Sequence, residues 1–573
     1  MTRKKARDMP VPCEDASQTT RAAGATATTS TVNSMGAVIE DGVVRSAVQD
    51  VYIPDVDVGT FFRGCCRKYK DRIAMVDDTT SETYSYRKLE DVCRRVAAGL
   101  RKLGFQTGDL AGIHSGISSD LIVAFYGTVL AGGRVVFAKG NLTQREVQYQ
   151  FADSGPKLVF CDDANAEKTK AACEVVPSVK TLVTIGQHEG MIHLSELKKS
   201  PTDYSAAGID PRGVLAIMYS SGTTGLPKGV MVSHRNFITQ LIVSGDEGAQ
   251  LITTNDRMLG TAPFTHVSGL WLYSCCFTVG GCVIVMTPTD PVSVLRAIER
   301  HKATVMLQFP TQAQNLVQCK CIDNLDVSSM SKLLIGGSTT PTIVAQSIIE
   351  KLKLKAFRHI FGMSETCGSI TVTPTGIDDY ESVGKPVPLT HIKVVDVETR
   401  EKLGPRENGE ICVKGPYCCL GYLNKPEATK NLYDDDGFIQ TGDIGYYTED
   451  GKLYVVDRIK ELIKCMDQQV APAELEDLLV QHDAVKEVVV TGVPHHEYGE
   501  AARAFVVLFQ KEAASDTLQQ ELAKLVADQA AFHKHLHGGI EFVTSIPKSD
   551  TGKNLRRALR DSYLKNGSKV TQL

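Results

Sequence analysis

Residues 219–230 read YSSGTTGLPKGV, with two serines, two threonines and three glycines ahead of or around one proline and one lysine. Backbone N–H groups and hydroxyls free of bulky side chains make a cradle for phosphate oxygens, and Lys228 adds a point charge. A surface turn uses the same residue types. The flanks favour the cradle: Gly213-Val-Leu-Ala-Ile-Met reads as a short buried strand, and Gly229-Val-Met-Val-Ser-His as a second strand leading into a helix. The chain contains no G-x-x-x-x-G-K-[ST], so phosphates are handled differently from those in P-loop NTPases.

Length and composition frame this loop. At 573 residues the chain is too long for one compact core, so two or more domains are expected. Its 42% apolar and 23% charged content is ordinary for a soluble globular enzyme. A formal charge of −4 leaves no basic footprint, which argues against a nucleic-acid partner. No apolar run approaches the ~20 residues that span a bilayer, and the longest, residues 121–130, reads as a buried helix. The sixteen cysteines include the adjacent pairs Cys65-Cys66, Cys275-Cys276 and Cys418-Cys419, and also Cys319-Lys-Cys321, with no C-x-x-C. That placement suits neither a disulfide framework nor a zinc site. With no secretory signal, it points to reduced thiols in an intracellular protein.

Residues 1 to about 45 are rich in Thr, Ala and Ser, with Arg3, Lys4, Lys5 and Arg7 clustered at the start. Asp8, Glu14 and Asp15 weaken a mitochondrial presequence, so residues 1–50 are expected to form a disordered tail, with order from about Val51. From Leu89, apolar Val92, Val96, Leu100 and Leu103 follow helical spacing, and Gly104 is placed as a C-cap. Gly108-Asp-Leu-Ala-Gly-Ile returns to a strand pattern. Strand and helix alternate onward to about residue 380, implying an α/β fold of mostly parallel sheets covered by helices. In residues 382–456, short strands separated by Gly, Pro, Asn and Asp turns suggest an antiparallel, β-rich subdomain.

Further motifs follow in order: Ala262-Pro-Phe-Thr-His-Val-Ser-Gly, Ile335-Gly-Gly-Ser-Thr-Thr, Phe361-Gly-Met-Ser-Glu-Thr, Gln440-Thr-Gly-Asp-Ile-Gly, Asp457-Arg-Ile-Lys-Glu-Leu-Ile-Lys and Pro547-Lys-Ser-Asp-Thr-Gly-Lys. Across residues 84–560 the chain resembles the adenylate-forming superfamily of acyl- and aryl-CoA synthetases, firefly luciferase and peptide-synthetase adenylation domains. Within it, the chain most resembles 4-coumarate–CoA ligases and their luciferase-like animal relatives. The resemblance implies an N-terminal AMP-binding (adenylation) domain over residues 51–457. It also implies a small mobile C-terminal α+β domain over 458–573, hinged at Lys460. The implied activity is an ATP-dependent acid–thiol ligase. A carboxylic acid and MgATP give an acyl-adenylate and pyrophosphate, and CoA then takes the acyl group and releases AMP.

The same resemblance carries roles to single residues. Ser220, Ser221, Gly222, Thr223, Thr224, Gly225 and Lys228 would cradle the ATP phosphates, with Gly337 and Gly362 also at the nucleotide. Phe361, where tyrosine is usual, would stack near the adenine. Ser364, in place of threonine, would hydrogen-bond the α-phosphate. Glu365 would hold Mg²⁺, a hard cation that suits one carboxylate with phosphate oxygens and waters. Asp443 would grip the ribose hydroxyls, a natural task for a bidentate acceptor, and Arg458 would add a ribose and phosphate contact. Lys553 would bridge carboxylate and α-phosphate during adenylation, and His266 would line and gate the acyl pocket. Gly336 and Gly337 would let the acid pass close to backbone, with residues near Pro310 completing the pocket.

One loop departs from the family. Relatives read Lys-Tyr-Lys-Gly-aromatic-Gln-Val, whereas this chain reads Lys464-Cys-Met-Asp-Gln-Gln-Val470. The CoA-guiding loop bearing Lys464, Asp467 and Gln469 thus carries aspartate where glycine is usual. The change adds bulk and negative charge near a triply phosphorylated ligand, and weak CoA use is expected. A luciferase-like monooxygenase shares the adenylation motifs, and a fold-retaining protein with impaired transfer stays open beside it. The chain stops twenty residues after Lys553, which disfavours a peptide-synthetase module. The final Thr571-Gln572-Leu573 shares only its leucine with the peroxisomal address, so cytosol and peroxisome are both expected locations. The acid and the oligomeric state are not encoded in any motif.

Overall fold

The computed structural model describes residues 36–201, 208–220, 227–246, 248–287, 289–337, 340–376, 379–459, 461–466, 468–510, 514–548 and 554–565. Its apolar runs form the centres of two large sheets. One has seven strands, and in it Val214–Ser220, Arg134–Lys139, Leu110–Ser115, Leu158–Asp162 and Thr181–Ile185 lie side by side in parallel. The other has nine strands, with a parallel centre running from Ile73–Asp77 through Cys282–Val285, Arg257–Gly260, Val305–Gln308 and Lys332–Gly336 to Ala356–Met363. Strands buried on both faces read as continuous hydrophobic runs, and the Leu110–Ser115 strand is buried along its whole length.

The helix Ser119–Leu130 contacts strands of both sheets and buries every residue from Leu121 to Leu130. A helix that is apolar all round has no face for water, and this one is buried against the strands of both sheets. No described helix is long and apolar enough to span one. The helix expected from Leu89 spans Tyr86–Lys102, N-capped by the Ser85 side chain. Gly104 follows the C-cap Leu103 with φ 82°, the left-handed turn that only glycine adopts without strain.

A six-stranded antiparallel sheet holds His391–Val395, Gly409–Lys414, Ile439–Tyr447 and Leu453–Arg458, as the turn-rich pattern implied. Its other two strands, Ala37–Glu40 and Val43–Ser46, overturn the expectation that order begins near Val51. They are joined by Asp41-Gly42 with φ 51° and 71°, an Asp-Gly hairpin turn between apolar alternations. The Thr/Ala/Ser composition of the first 45 residues masked this short local signal.

The last strand of the six-stranded sheet ends at Arg458, and Ile463–Cys465 already belongs to a five-stranded sheet with its own core. That core gathers Ile463, Leu475, Val490, Ala504 and Leu522, and Val489, Phe505, Ile546 and Leu559 pack on the opposite face of the sheet. The fold is therefore mixed α/β, with parallel sheets, a β-rich subdomain and a separate C-terminal α+β unit.

Candidate functional site

Ser220 ends the strand Val214–Ser220 and Lys228 begins its neighbour at the sheet edge, and the two residues sit opposite each other across the antiparallel pair. Chain 221–226 joins them, so Ser221, Gly222, Thr223, Thr224 and Gly225 lie outside the described residues. The two ends of the loop are nevertheless fixed. Tyr149 donates from its hydroxyl to the Pro227 carbonyl at 3.1 Å, and Tyr219 donates to Asp153 at 2.6 Å.

Across from the loop, the strand Ala356–Met363 shifts register between Phe361 and Gly362 against its neighbour. Gly362 is required there, because a Cβ would lie 2.0 Å from the Gly368 carbonyl. Past the shift the ladder runs on to Met363 opposite Gly368, and a short 3₁₀ turn, Ser364–Thr366, follows and carries Glu365. The Glu365 side chain is 5% exposed, and its Oε1 accepts from the Ser220 hydroxyl at 3.3 Å and from the Tyr422 hydroxyl at 2.8 Å. The ring of Tyr422 in turn faces Lys228, whose Nζ lies 4.9 Å from its centroid. Ser220, Lys228 and Glu365 are thus drawn together around one aromatic side chain. Burial pushes the Tyr422 hydroxyl well above its ordinary range, and the Glu365 charge adds to this. Ser364 is half-buried and makes no side-chain hydrogen bond among the described residues.

A cleft of about 200 Å³ opens beside this group, lined by Pro310, Gly337, Phe361, Gly362, Asp443 and Arg458. Asp443 and Arg458 face each other across neighbouring strands, with Arg458 Nε 3.1 Å from Asp443 Oδ1. Gly336 and Gly337 also have a packing reason. A Cβ on Gly337 would meet the Phe309 ring at 2.6 Å, and one on Gly336 the Ile360 carbonyl at 2.6 Å. The protein's own packing already demands glycine at both positions. His266 does not line this cleft. It is the N-cap of the helix Val267–Val279, with Nδ1 2.8 Å from the Ser268 hydroxyl.

The opposite wall of the cleft comes from the C-terminal unit, through Glu461, Glu476, Asn554 and Arg556. Arg556 is clasped there: its Nη2 lies 2.7 Å from Glu476, its Nη1 2.8 Å from Glu461, and its Nε donates to the Val490 carbonyl at 3.1 Å. Burial raises the Glu476 and Asp457 carboxyls above their usual range, with the Arg556 charge opposing the shift in both. Burial works against the Arg556 charge, yet Glu476, Glu461 and Asp457 together hold it above its ordinary range. Lys460 and Lys553 lie outside the described residues, although Asn554, next in sequence to Lys553, does line the cleft.

The loop at 464–470 is a hairpin, with Lys464 opposite Gln469 and Cys465 opposite Gln468. Lys464 and Met466 line a second recess, with Tyr498 and Glu500, rather than the main cleft. Asp467 lies outside the described residues. The left-handed residue among those described is its neighbour Met466, at φ 54°.

Sequence reading missed Tyr422, Arg556 and Glu476. Tyr422 follows Gly421 in a segment whose residue types say nothing of Lys228 or Glu365, both far away in sequence. Arg556 and Glu476 lie 80 residues apart, and only the fold pairs them.

Comparison with known proteins agrees with this geometry. The AMP-binding enzyme family matches residues 62–423, and the AMP-binding enzyme C-terminal domain matches residues 474–553. The chain is 34% identical over 536 residues to a probable 4-coumarate–CoA ligase 1 of Dictyostelium discoideum, covering 90% of this chain and 97% of that one. It is 33% identical over 517 residues to a luciferin 4-monooxygenase of Luciola mingrelica, covering 87% and 93%. Among solved structures it resembles ATP-bound MatB from Rhodopseudomonas palustris, with a TM-score of 0.80 and 28% identity over 88% of this chain and 99% of that one. The chain belongs to the AMP-binding enzyme family.

Proposed function

We propose that the protein is an AMP-forming acid–CoA ligase, which activates a carboxylic acid as its acyl-adenylate and transfers the acyl group to CoA. The observation that carries this reading is the convergence of Ser220 and Tyr422 on Glu365, with Lys228 over the Tyr422 ring, beside a cleft that presents Asp443 and Arg458. A cation, a buried carboxylate and hydroxyls at one end, and a ribose-sized acceptor at the other, suit a nucleoside triphosphate.

In the first step the substrate carboxylate attacks the α-phosphorus and pyrophosphate leaves. Lys228 and the 221–225 loop hold the departing phosphates, Ser364 holds the α-phosphate, Asp443 and Arg458 hold the ribose, and Phe361 and Gly362 flank the base. Lys553 supplies positive charge as the two anions approach, the kind of preorganised electrostatic help that matters most in a water-poor site. In the second step the C-terminal unit turns about Lys460, and the 464–470 hairpin guides CoA. Its thiol attacks the acyl carbonyl and AMP leaves. His266 gates the acid side. The Glu365 site fits Mg²⁺: it offers one buried carboxylate whose described hydrogen bonds both fall on Oε1, as suits an ion shared with phosphates and water. Bound there, Mg²⁺ would neutralise charge on the triphosphate. The fifteen described cysteines are all free, which supports a reducing compartment such as cytosol or peroxisome.

The test is carboxylate-dependent ATP–pyrophosphate exchange over a panel of fatty and aryl acids. Exchange with at least one acid, followed by thioester formation when CoA is added, is the expected result. No exchange with any acid would reduce the protein to a binding fold. Oxygen-dependent product without thioester would favour the luciferase-like reading, which the similarity to luciferin 4-monooxygenase supports.

A further inference from the structure

The helix Pro310–Val317, whose Pro310 and Gln314 line the cleft, is followed by a 3₁₀ turn over Lys320–Asn324. Cys319 caps that turn and Cys321 lies within it, so the chain doubles back and brings the two sulfurs to 2.9 Å. A disulfide needs about 2.05 Å, and residues two apart in a tight turn fall within the Cα range that such a bond spans. Closing the pair therefore requires a side-chain adjustment rather than a rearrangement of the fold.

The other close cysteine pairs differ. Cys65-Cys66 and Cys275-Cys276 are neighbours on helices, where successive side chains project in different directions. Cys66, Cys275 and Cys276 are also buried, and burial pushes their thiols well above the ordinary range. Cys319 and Cys321 are half-buried, with Lys320 exposed between them. The hydrogen bond with Cys319 holds the Cys321 thiol up, while Arg296 on the neighbouring helix pulls it down.

We infer that Cys319 and Cys321 form a dithiol–disulfide site, closed reversibly by a small-molecule disulfide, at the far end of the helix whose first turns line the cleft. In the first exchange one of the two cysteines, as its thiolate, attacks one sulfur of the incoming disulfide and expels a thiolate. The other loses its proton and attacks the protein sulfur of the mixed disulfide, expelling the second thiolate. Two protein thiols are oxidised to one disulfide, and one small disulfide is reduced to two thiols. A partly exposed, tightly closed ring of this kind belongs with the labile bonds rather than the structural ones. The inference does not depend on the ligase reading.

The test uses the full-length protein, fully reduced, then equilibrated with glutathione disulfide, acid-quenched and digested with pepsin. The peptide containing Cys319-Lys-Cys321 should lose two hydrogen masses and regain them in dithiothreitol. In Cys321→Ser the same treatment should trap glutathione on Cys319, and in Cys319→Ser on Cys321. A wild-type peptide that stays reduced, or that carries glutathione without closing, would overturn the proposal.

Discussion

Tyr422 meets Glu365 with its hydroxyl and Lys228 with its ring face, so one side chain positions two groups meant for the same triphosphate. The two contacts can be separated. Tyr422→Phe keeps the ring and removes the hydroxyl, and loss of such an outer-shell partner commonly costs 10–100-fold in metal affinity. The Mg²⁺ concentration for half-maximal exchange should therefore rise by about tenfold, with a parallel loss in calorimetric ATP binding at low Mg²⁺. Glu365→Gln should raise the requirement further, and unchanged Mg²⁺ dependence in that variant would remove Glu365 from the site. Lys553 is a separate matter. Its ammonium is assigned to the adenylation step alone, so Lys553→Ala should lower exchange by roughly 10²–10³, the scale of losing one preorganised electrostatic partner. Thioester formation from supplied acyl-adenylate should be nearly unchanged, and an equal fall in both half-reactions would sink the split assignment.

Among the elements, the hairpin at 464–470 carries the departure from the family motif noted in the sequence. The sequence located the departure at Asp467, whereas the structure puts a left-handed backbone at Met466, one residue earlier in the same turn. A methionine in that region is strained where glycine would not be, and the turn has lost one cation and gained one anion. Both effects act where CoA is expected to pass, and neither touches the nucleotide cleft. Asp467→Gly with Met466→Lys should leave pyrophosphate exchange unchanged while lowering the KM for CoA. Intact exchange with no gain in CoA use would show that this turn does not limit transfer. The long elements were legible for a simple reason: the helix Ser119–Leu130 and the strand Val214–Ser220 carry apolar patterns longer than any turn. The Ala37–Ser46 hairpin was missed because four-residue strands are too short to outweigh a Thr/Ala/Ser-rich neighbourhood. In the site, motif residues such as Glu365 and Asp443 were readable one by one. The clasp of Arg556 by Glu476 and Glu461 was not, since it joins charges from three separate segments.

The whole molecule places its buried histidines unevenly. Among the described residues, His114, His234 and His359 are buried, all within the large N-terminal part, and the C-terminal core contains none. Burial depresses His114 and His234 to about 4 from an ordinary 6.5, and it lowers His359 as well. His234 Nδ1 accepts from the Val58 N–H at 3.2 Å and His114 Nδ1 lies 2.8 Å from the Thr169 hydroxyl, and in both rings burial outweighs the nearby carboxylates (Asp57 and Asp210, and Asp162) that favour a second proton. Because the unfolded state takes up the proton first, the stability these neutral rings contribute is fully present above pH 6.5. It is lost as pH falls from 6.5 toward 4. A depression of this size corresponds to about 3 kcal/mol for each ring at the acid end of that window. The N-terminal part should therefore lose thermal stability steeply across pH 6.5 to 4, while the C-terminal unit, with no buried imidazole, should change less. Calorimetry at half-unit pH steps can follow the two transitions. His234→Asn keeps an acceptor for the Val58 N–H but cannot titrate, so it should flatten the acid slope of the larger transition with little change at pH 8. A variant whose acid slope matches that of the parent would show that burial of this ring is not what links the N-terminal fold to pH.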